Sequence, residues 1–176
     1  MPTIEFAYTP YPKQAEFHAC PADEVLFGGA AGPGKSRALR MEAVKICLLY
    51  PGMHAILFRR TYPELEMEII RKLLDEVPRE LYTYNDTKKR LTFRNGSVLQ
   101  FGYCDQDRDI LRYQGAEFGW IGWDELTHMN EYPYLYMLSR LRSTDATIWP
   151  RVRATTNPGG VGHAWVKTRF IDAHTW

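Results

Sequence analysis

Gly29, Ala30, Ala31, Gly32, Pro33, Gly34, Lys35 and Ser36 spell G-x-x-x-x-G-K-S directly after the apolar run Val25-Leu26-Phe27. Glycines at this spacing let a backbone curl so that its N–H groups converge on an anion. A helix that begins near the lysine adds the positive end of its dipole. Lys35 is then placed for the β and γ phosphates of a nucleotide and Ser36 for Mg2+, and Arg37 opens the helix that completes the nucleotide-binding set. The rival reading is a glycine-rich turn with a surface lysine. A strand before the loop and helical periodicity after it (Leu39, Ala43, Ile46, Cys47, Tyr50) oppose that reading.

A second group able to do chemistry ends the run Phe118-Gly119-Trp120-Ile121-Gly122-Trp123 with Asp124-Glu125. A run with no polar face predicts a strand covered on both sides, as in a parallel sheet, and its acids then emerge at the carboxyl edge where ligands bind. Asp124 would hold Mg2+ through its water shell, and Glu125 would orient or deprotonate the water that attacks a γ phosphate. Two acids at a strand end also serve as helix caps; it is their pairing with the glycine loop that points to hydrolysis. The strand Arg151-Val152-Arg153-Ala154-Thr155 runs into Thr156-Asn157 and is halted by Pro158-Gly159-Gly160. If it neighbours the acid strand, Thr156 and Asn157 reach the same edge and report whether the γ phosphate is present.

Other polar residues carry weaker signals. Gln14, in Pro12-Lys13-Gln14, offers the donor and acceptor that reading an adenine edge requires, with a solvated helix glutamine as the alternative. Arg59 and Arg60 close an apolar strand where they would meet phosphate or DNA; a solvated arginine pair is the simpler reading. Arg140 and Arg142 follow a tyrosine-rich helix, taken as residues 131–141, and two residues apart on a helix they would point to nearly opposite sides. One of them would supply an arginine finger to a neighbouring subunit, against the alternative of a solvated helix end. Lys88, Lys89, Arg90 and Arg94 decorate a hairpin whose Asn95-Gly96 predicts a two-residue type I′ turn; they would touch a nucleic-acid backbone or only protect a strand edge.

The elements that must position these groups follow from the patterning: strands near residues 24–28, 54–58, 98–103, 119–123 and 151–156, with helices between them. The expected fold is therefore α/β, a predominantly parallel sheet flanked by helices and carrying a β-hairpin. The length, 176 residues, suits one domain spanning 1–176. Lys plus Arg (22) nearly balance Asp plus Glu (21), so any contact with nucleic acid must come from a local patch. Three dispersed cysteines make neither a disulfide framework nor a Cys-x-x-Cys zinc site. No apolar run has transmembrane length and no leader precedes the first strand, so no membrane partner is expected.

Gln14, the loop at residues 29–36, Arg59-Arg60-Thr61-Tyr62-Pro63, Arg112-Tyr113-Gln114-Gly115, Ile121-Gly122-Trp123-Asp124-Glu125 and Thr155-Thr156-Asn157-Pro158-Gly159-Gly160 together resemble the ATPase domain of the large terminase subunit of tailed bacteriophages. The resemblance implies a P-loop NTPase of the additional-strand, catalytic-glutamate class that hydrolyses ATP with Mg2+ and drives double-stranded DNA into a procapsid. It implies a ring of copies on the portal protein, work with the small terminase subunit, and a place in the host cytoplasm. By it, Lys35 and Ser36 are the first-motif residues, Asp124 and Glu125 the second, Thr156 and Asn157 the coupling motif, Gln14 the adenine contact, and Arg140 or Arg142 a finger in trans. Some family members carry an arginine inside the phosphate loop where this chain has Ala31. The nuclease domain of full-length large subunits has no counterpart in these residues, so nuclease activity is not expected. Two other readings remain open: a fragment of a helicase-type DNA-dependent ATPase, and a nucleotide-dependent docking module with little turnover.

Overall fold

The computed structural model describes residues 6–32 and 34–174; Pro33 of the phosphate loop lies outside the described residues. In chain order the elements are α1 (Pro12–Ala19), β1 (Glu24–Phe27), α2 (Lys35–Leu49), β2 (His54–Arg59), α3 (Tyr62–Glu64), a π-helical stretch (Leu65–Ile70), α4 (Arg71–Glu76), β3 (Tyr82–Asn85), β4 (Arg90–Phe93), β5 (Val98–Tyr103), a 3-10 segment (Asp107–Tyr113), β6 (Trp120–Trp123), α5 (Glu131–Leu138), β7 (Arg151–Thr155) and α6 (His163–Phe170). The strands form one sheet in the order β1-β7-β6-β2-β5-β4-β3. β1, β7, β6, β2 and β5 run parallel, and β4 and β3 run antiparallel to their neighbours. β7 thus lies between the strand that feeds the phosphate loop and the strand that ends in the two acids. This arrangement, with helices on both faces, is the predicted α/β P-loop fold; β3, whose sequence Tyr82-Thr83-Tyr84-Asn85 gave no strong signal, extends it by one strand.

Strand alternation explains the two-sided core. In β2, Ala55 and Leu57 face α2 and the helical run 65–76, whereas Ile56 and Phe58 face α5, α6 and the 3-10 segment. β6 does the same with larger groups. Trp120 lies on the first face and Ile121 and Trp123 on the second, all fully buried. Gly122 is required beside them, because a Cβ at that position would stand 2.3 Å from the Trp120 ring. Phe58 stacks on Trp123 with centroids 4.4 Å apart, which fixes β2 against β6 just before the functional edge.

The π-helical stretch has a local cause. Arg40, buried in α2, donates from Nη1 to the Glu68 carbonyl at 3.1 Å and grips Glu76 from Nε and Nη2 at 2.9 and 2.6 Å. A wider helical turn frees carbonyls that need such donors. The phosphate-loop helix is therefore bolted to the helical run that follows Arg59 and Arg60.

The hairpin differs from expectation at its turn. Gly96 has φ +84, but Asn95 does not enter the left-handed region, and Phe93 and Ser97 close a three-residue loop through Phe93 N to Ser97 O at 2.9 Å. A type I turn followed by a left-handed glycine replaces type I′. The reason is tertiary: Asn95 Nδ2 donates to the Cys47 carbonyl at 2.8 Å, satisfying the end of α2, while its Oδ1 accepts from Ser97.

Candidate functional site

The carboxyl edge of the parallel strands brings the sequence-predicted groups together. Asp124 is wholly buried, and its carboxylate accepts three hydrogen bonds from side chains among the described residues. Ser36 Oγ donates to its Oδ1 at 2.7 Å, Thr155 Oγ1 donates to the same oxygen at 2.6 Å, and Arg59 Nη1 donates to Oδ2. The phosphate-loop helix, the acid strand and β7 thereby meet at one carboxylate. Hydroxyl and carboxylate oxygens are the hard donors that Mg2+ prefers, so the residues present fit that ion, and Ser36 and Asp124 are the pair that would hold it.

Glu125 follows in a left-handed conformation, φ +55 and ψ +55. A non-glycine residue there costs about 1–3 kcal/mol and persists only where the surroundings enforce it. They do so twice: Glu125 N donates to Thr155 Oγ1 at 3.3 Å, and Asn157 Nδ2 donates to Glu125 Oε1 at 2.9 Å. The kink turns the second acid away from the first and onto Asn157, whose own Oδ1 is buried with no partner among the described residues. Thr156 bonds instead behind the edge, donating to Thr127 Oγ1 at 2.8 Å and accepting from Thr127 N at 3.3 Å. Of the predicted coupling pair, Asn157 touches the second acid and Thr156 anchors the loop that follows it.

The phosphate loop rims this edge with Gly29, Ala30, Ala31 and Gly32 exposed. Lys35 folds back across it, donating from Nζ to Ala30 O at 2.7 Å. Gln14 is buried and spends its amide on the loop: Nε2 donates to Gly34 O at 2.8 Å and Oε1 accepts from Tyr11 N at 2.9 Å. Arg37 lies in the first turn of α2, with its side chain 3.8 Å from Glu76 and over the Tyr8 ring at 5.5 Å.

Two arginine expectations change. Arg59 is no solvated group: its side chain is 12% exposed and ion-paired to Asp124, whereas Arg60 is open and 3.9 Å from Asp105. Arg140 and Arg142 are not on a helix, because α5 ends at Leu138. Their backbones clasp Phe118, which donates to Arg140 O and accepts from Arg142 N, each at 2.9 Å. Phe118 precedes β6 by two residues, so this clasp is at the opposite edge of the sheet, about 20 Å of extended chain from Asp124. Neither arginine reaches the site of its own chain.

Thr155 and the Arg59 contact escaped the sequence reading. Strand alternation held the signal for the first, since Thr155 and Thr156 must face opposite ways and only one can meet the acid strand's edge. For Arg59 the signal lay in two apolar runs, one closed by a cation and the other followed by an anion, that pair in parallel.

The sequence matches the family described as Terminase large subunit, T4likevirus-type, N-terminal, over residues 26–175. The chain belongs to this family. No curated protein sequence is a significant match to this terminase chain. Among solved structures it is similar to the large terminase of a thermophilic bacteriophage, with TM-score 0.75 and 17% identity over 94% of this chain and 43% of that one. The same phage enzyme in complex with ADP gives 0.74 and 18%, covering 93% of this chain and 42% of that one. The large terminase ATPase domain of Thermus phage P74-26 gives 0.63 and 19%, covering 88% and 68%. The terminase chain described here therefore spans less than half of the first of these relatives.

Proposed function

We propose that this terminase chain hydrolyses ATP with Mg2+ and that the hydrolysis drives double-stranded DNA into a procapsid. The observation that carries the reading is the Asn157–Glu125 hydrogen bond of 2.9 Å set beside the Ser36–Asp124 bond of 2.7 Å. A nucleotide store needs the metal-side pair, but only a hydrolase needs a second carboxylate aimed by its own partner. The solved complex of a similar large terminase with ADP supports nucleotide at such a site.

In this reading the loop amides and Lys35 take the phosphates, Lys35 leaving the Ala30 carbonyl for the β and γ oxygens. Bound Mg2+ would supply charge neutralisation on those oxygens. Glu125 orients a water in line with the γ phosphorus and accepts its proton as the new P–O bond forms and the bond to the β-phosphate oxygen breaks. Asn157 fixes the Glu125 carboxylate, so the same amide feels whether the γ phosphate is present. Further copies in a ring, the portal protein and the small terminase subunit are the partners that go with this activity. Arg140 and Arg142, remote from their own site, suit a finger offered to a neighbour.

The test is ATP turnover per molecule across a protein concentration series, with and without double-stranded DNA, for the native chain and Glu125→Gln. We expect Glu125→Gln to bind Mg-ATP and to lose turnover by at least ~100-fold, the usual worth of a positioned base. Full turnover in Glu125→Gln would remove the assigned role, and tight Mg-ATP binding without turnover at any concentration or DNA level would sink the hydrolase reading.

A further inference from the structure

β2 and β6 pair in parallel with Phe58 beside Trp123, so the residues that follow, Arg59 and Asp124, lie side by side at the carboxyl edge. The Asp124 carboxylate divides its oxygens: among the described residues Ser36 and Thr155 hold Oδ1, and Arg59 alone holds Oδ2. Asp124 is fully buried, and an isolated charge at such depth is strongly disfavoured, so the guanidinium is its counter-ion. Arginine normally meets a carboxylate with two parallel donors on two oxygens. Here one oxygen is already claimed by hydroxyls, and Arg59 Nε is buried with no partner among the described residues. The pair is thus incomplete as a purely structural clasp, and Arg59 keeps unused donor capacity next to the Asp124 carboxylate.

A divalent cation held by Ser36 and Asp124 changes the charge balance. Asp124 then has a second counter-ion, and a guanidinium beside a dication is repelled. The anion nearest to hand for the released group would be the terminal phosphate of a nucleotide held by the loop amides and Lys35. Arginine's planar fork matches phosphate oxygens. No other arginine is hydrogen-bonded to Asp124 or Glu125 among the described residues, Ala31 stands where some relatives carry one in the loop, and Arg140 and Arg142 are at the far edge.

We infer that Arg59 is a nucleotide-responsive counter-ion, which neutralises Asp124 before nucleotide arrives and passes to the γ phosphate when Mg-ATP binds, giving each subunit a phosphate-sensing arginine of its own. This inference rests on the ATP-site reading above. It predicts that Arg59 distinguishes ATP from ADP, which a merely structural ion pair does not.

The experiment is equilibrium binding of methylanthraniloyl-labelled ADP and ATPγS across a Mg2+ titration, for the native chain, Arg59→Ala and Arg59→Lys. We expect Arg59→Ala to weaken ATPγS by about tenfold and ADP by less than about twofold, the scale of one charge-assisted hydrogen bond, and to lower the Mg2+ midpoint. Arg59→Lys keeps the charge beside Asp124 but loses the fork, so it should weaken ATPγS selectively and by less; it carries the comparison if Arg59→Ala does not fold. Equal effects on both nucleotides, or none, in a native-like variant would overturn the inference. Failure of the native chain to bind either nucleotide would overturn the ATP-site reading itself.

Discussion

Gly34 shows how tightly single residues are set at the phosphate loop. Its φ is +119, and a Cβ there would stand 2.8 Å from Gln14 Nε2, the atom that donates to Gly34 O. An alanine must therefore both adopt a disfavoured backbone and push away the side chain that braces it. Gly34→Ala should lose about 1–3 kcal/mol of stability in urea unfolding, the cost of such backbone strain, together with most nucleotide affinity. An unchanged unfolding midpoint would show that Gln14 does not support the loop. The acids are matched in the same way: the Asp124 carboxylate collects donors from three elements, and Glu125 turns left-handed to leave it.

Among the elements, those with an unbroken pattern were readable. The apolar run before Asp124-Glu125 became a strand buried throughout, and the period of Leu39, Ala43 and Ile46 became one face of α2. What stayed hidden was decided by partners far away in sequence. Asn95-Gly96 carries the local signature of one turn, but Asn95 is drawn to the end of α2 and a different turn results. The tyrosine-rich helix ends before Arg140 because Leu141 bridges to Phe118, a contact that no helical period announces. At the opposite flank, Glu24 of β1 receives Arg169 of α6 at 2.7 and 2.8 Å and Tyr134 of α5 at 2.5 Å. Burial pushes the Glu24 carboxyl up, but these hydrogen bonds and the Arg169 charge outweigh it and hold it below its ordinary range. A depressed carboxyl contributes stability above its unfolded value and loses it as pH falls through the folded one. Glu24→Gln should therefore be less stable than the native chain at neutral pH, with the difference closing on the acid side. Urea midpoints measured from pH 7 downward check this, and a gap that persists undiminished in acid would assign the effect to packing.

Across the molecule, reactivity follows the two-sided core. Burial pushes the Cys47 thiol up to about 12, and burial with the nearby Asp109 and Asp107 does the same to Cys104, at about 12. Cys20 is only partly covered. The thiolate is the reacting form, so a disulfide reagent at pH 8 should modify Cys20 in the folded chain and all three cysteines in denaturant. Rapid reaction of all three without denaturant would mean that the sheet opens readily. The strand order bears on movement at this scale as well. β1 and β6 share no ladder, since β7 stands between them and pairs with both. Any displacement of the phosphate loop's strand relative to the acids' strand is a shear taken up along two seams of β7 amides. Asn157 lies two residues past the end of that middle strand, and we propose that the geometry of its bond to Glu125 gauges how far the two halves of the sheet have slid.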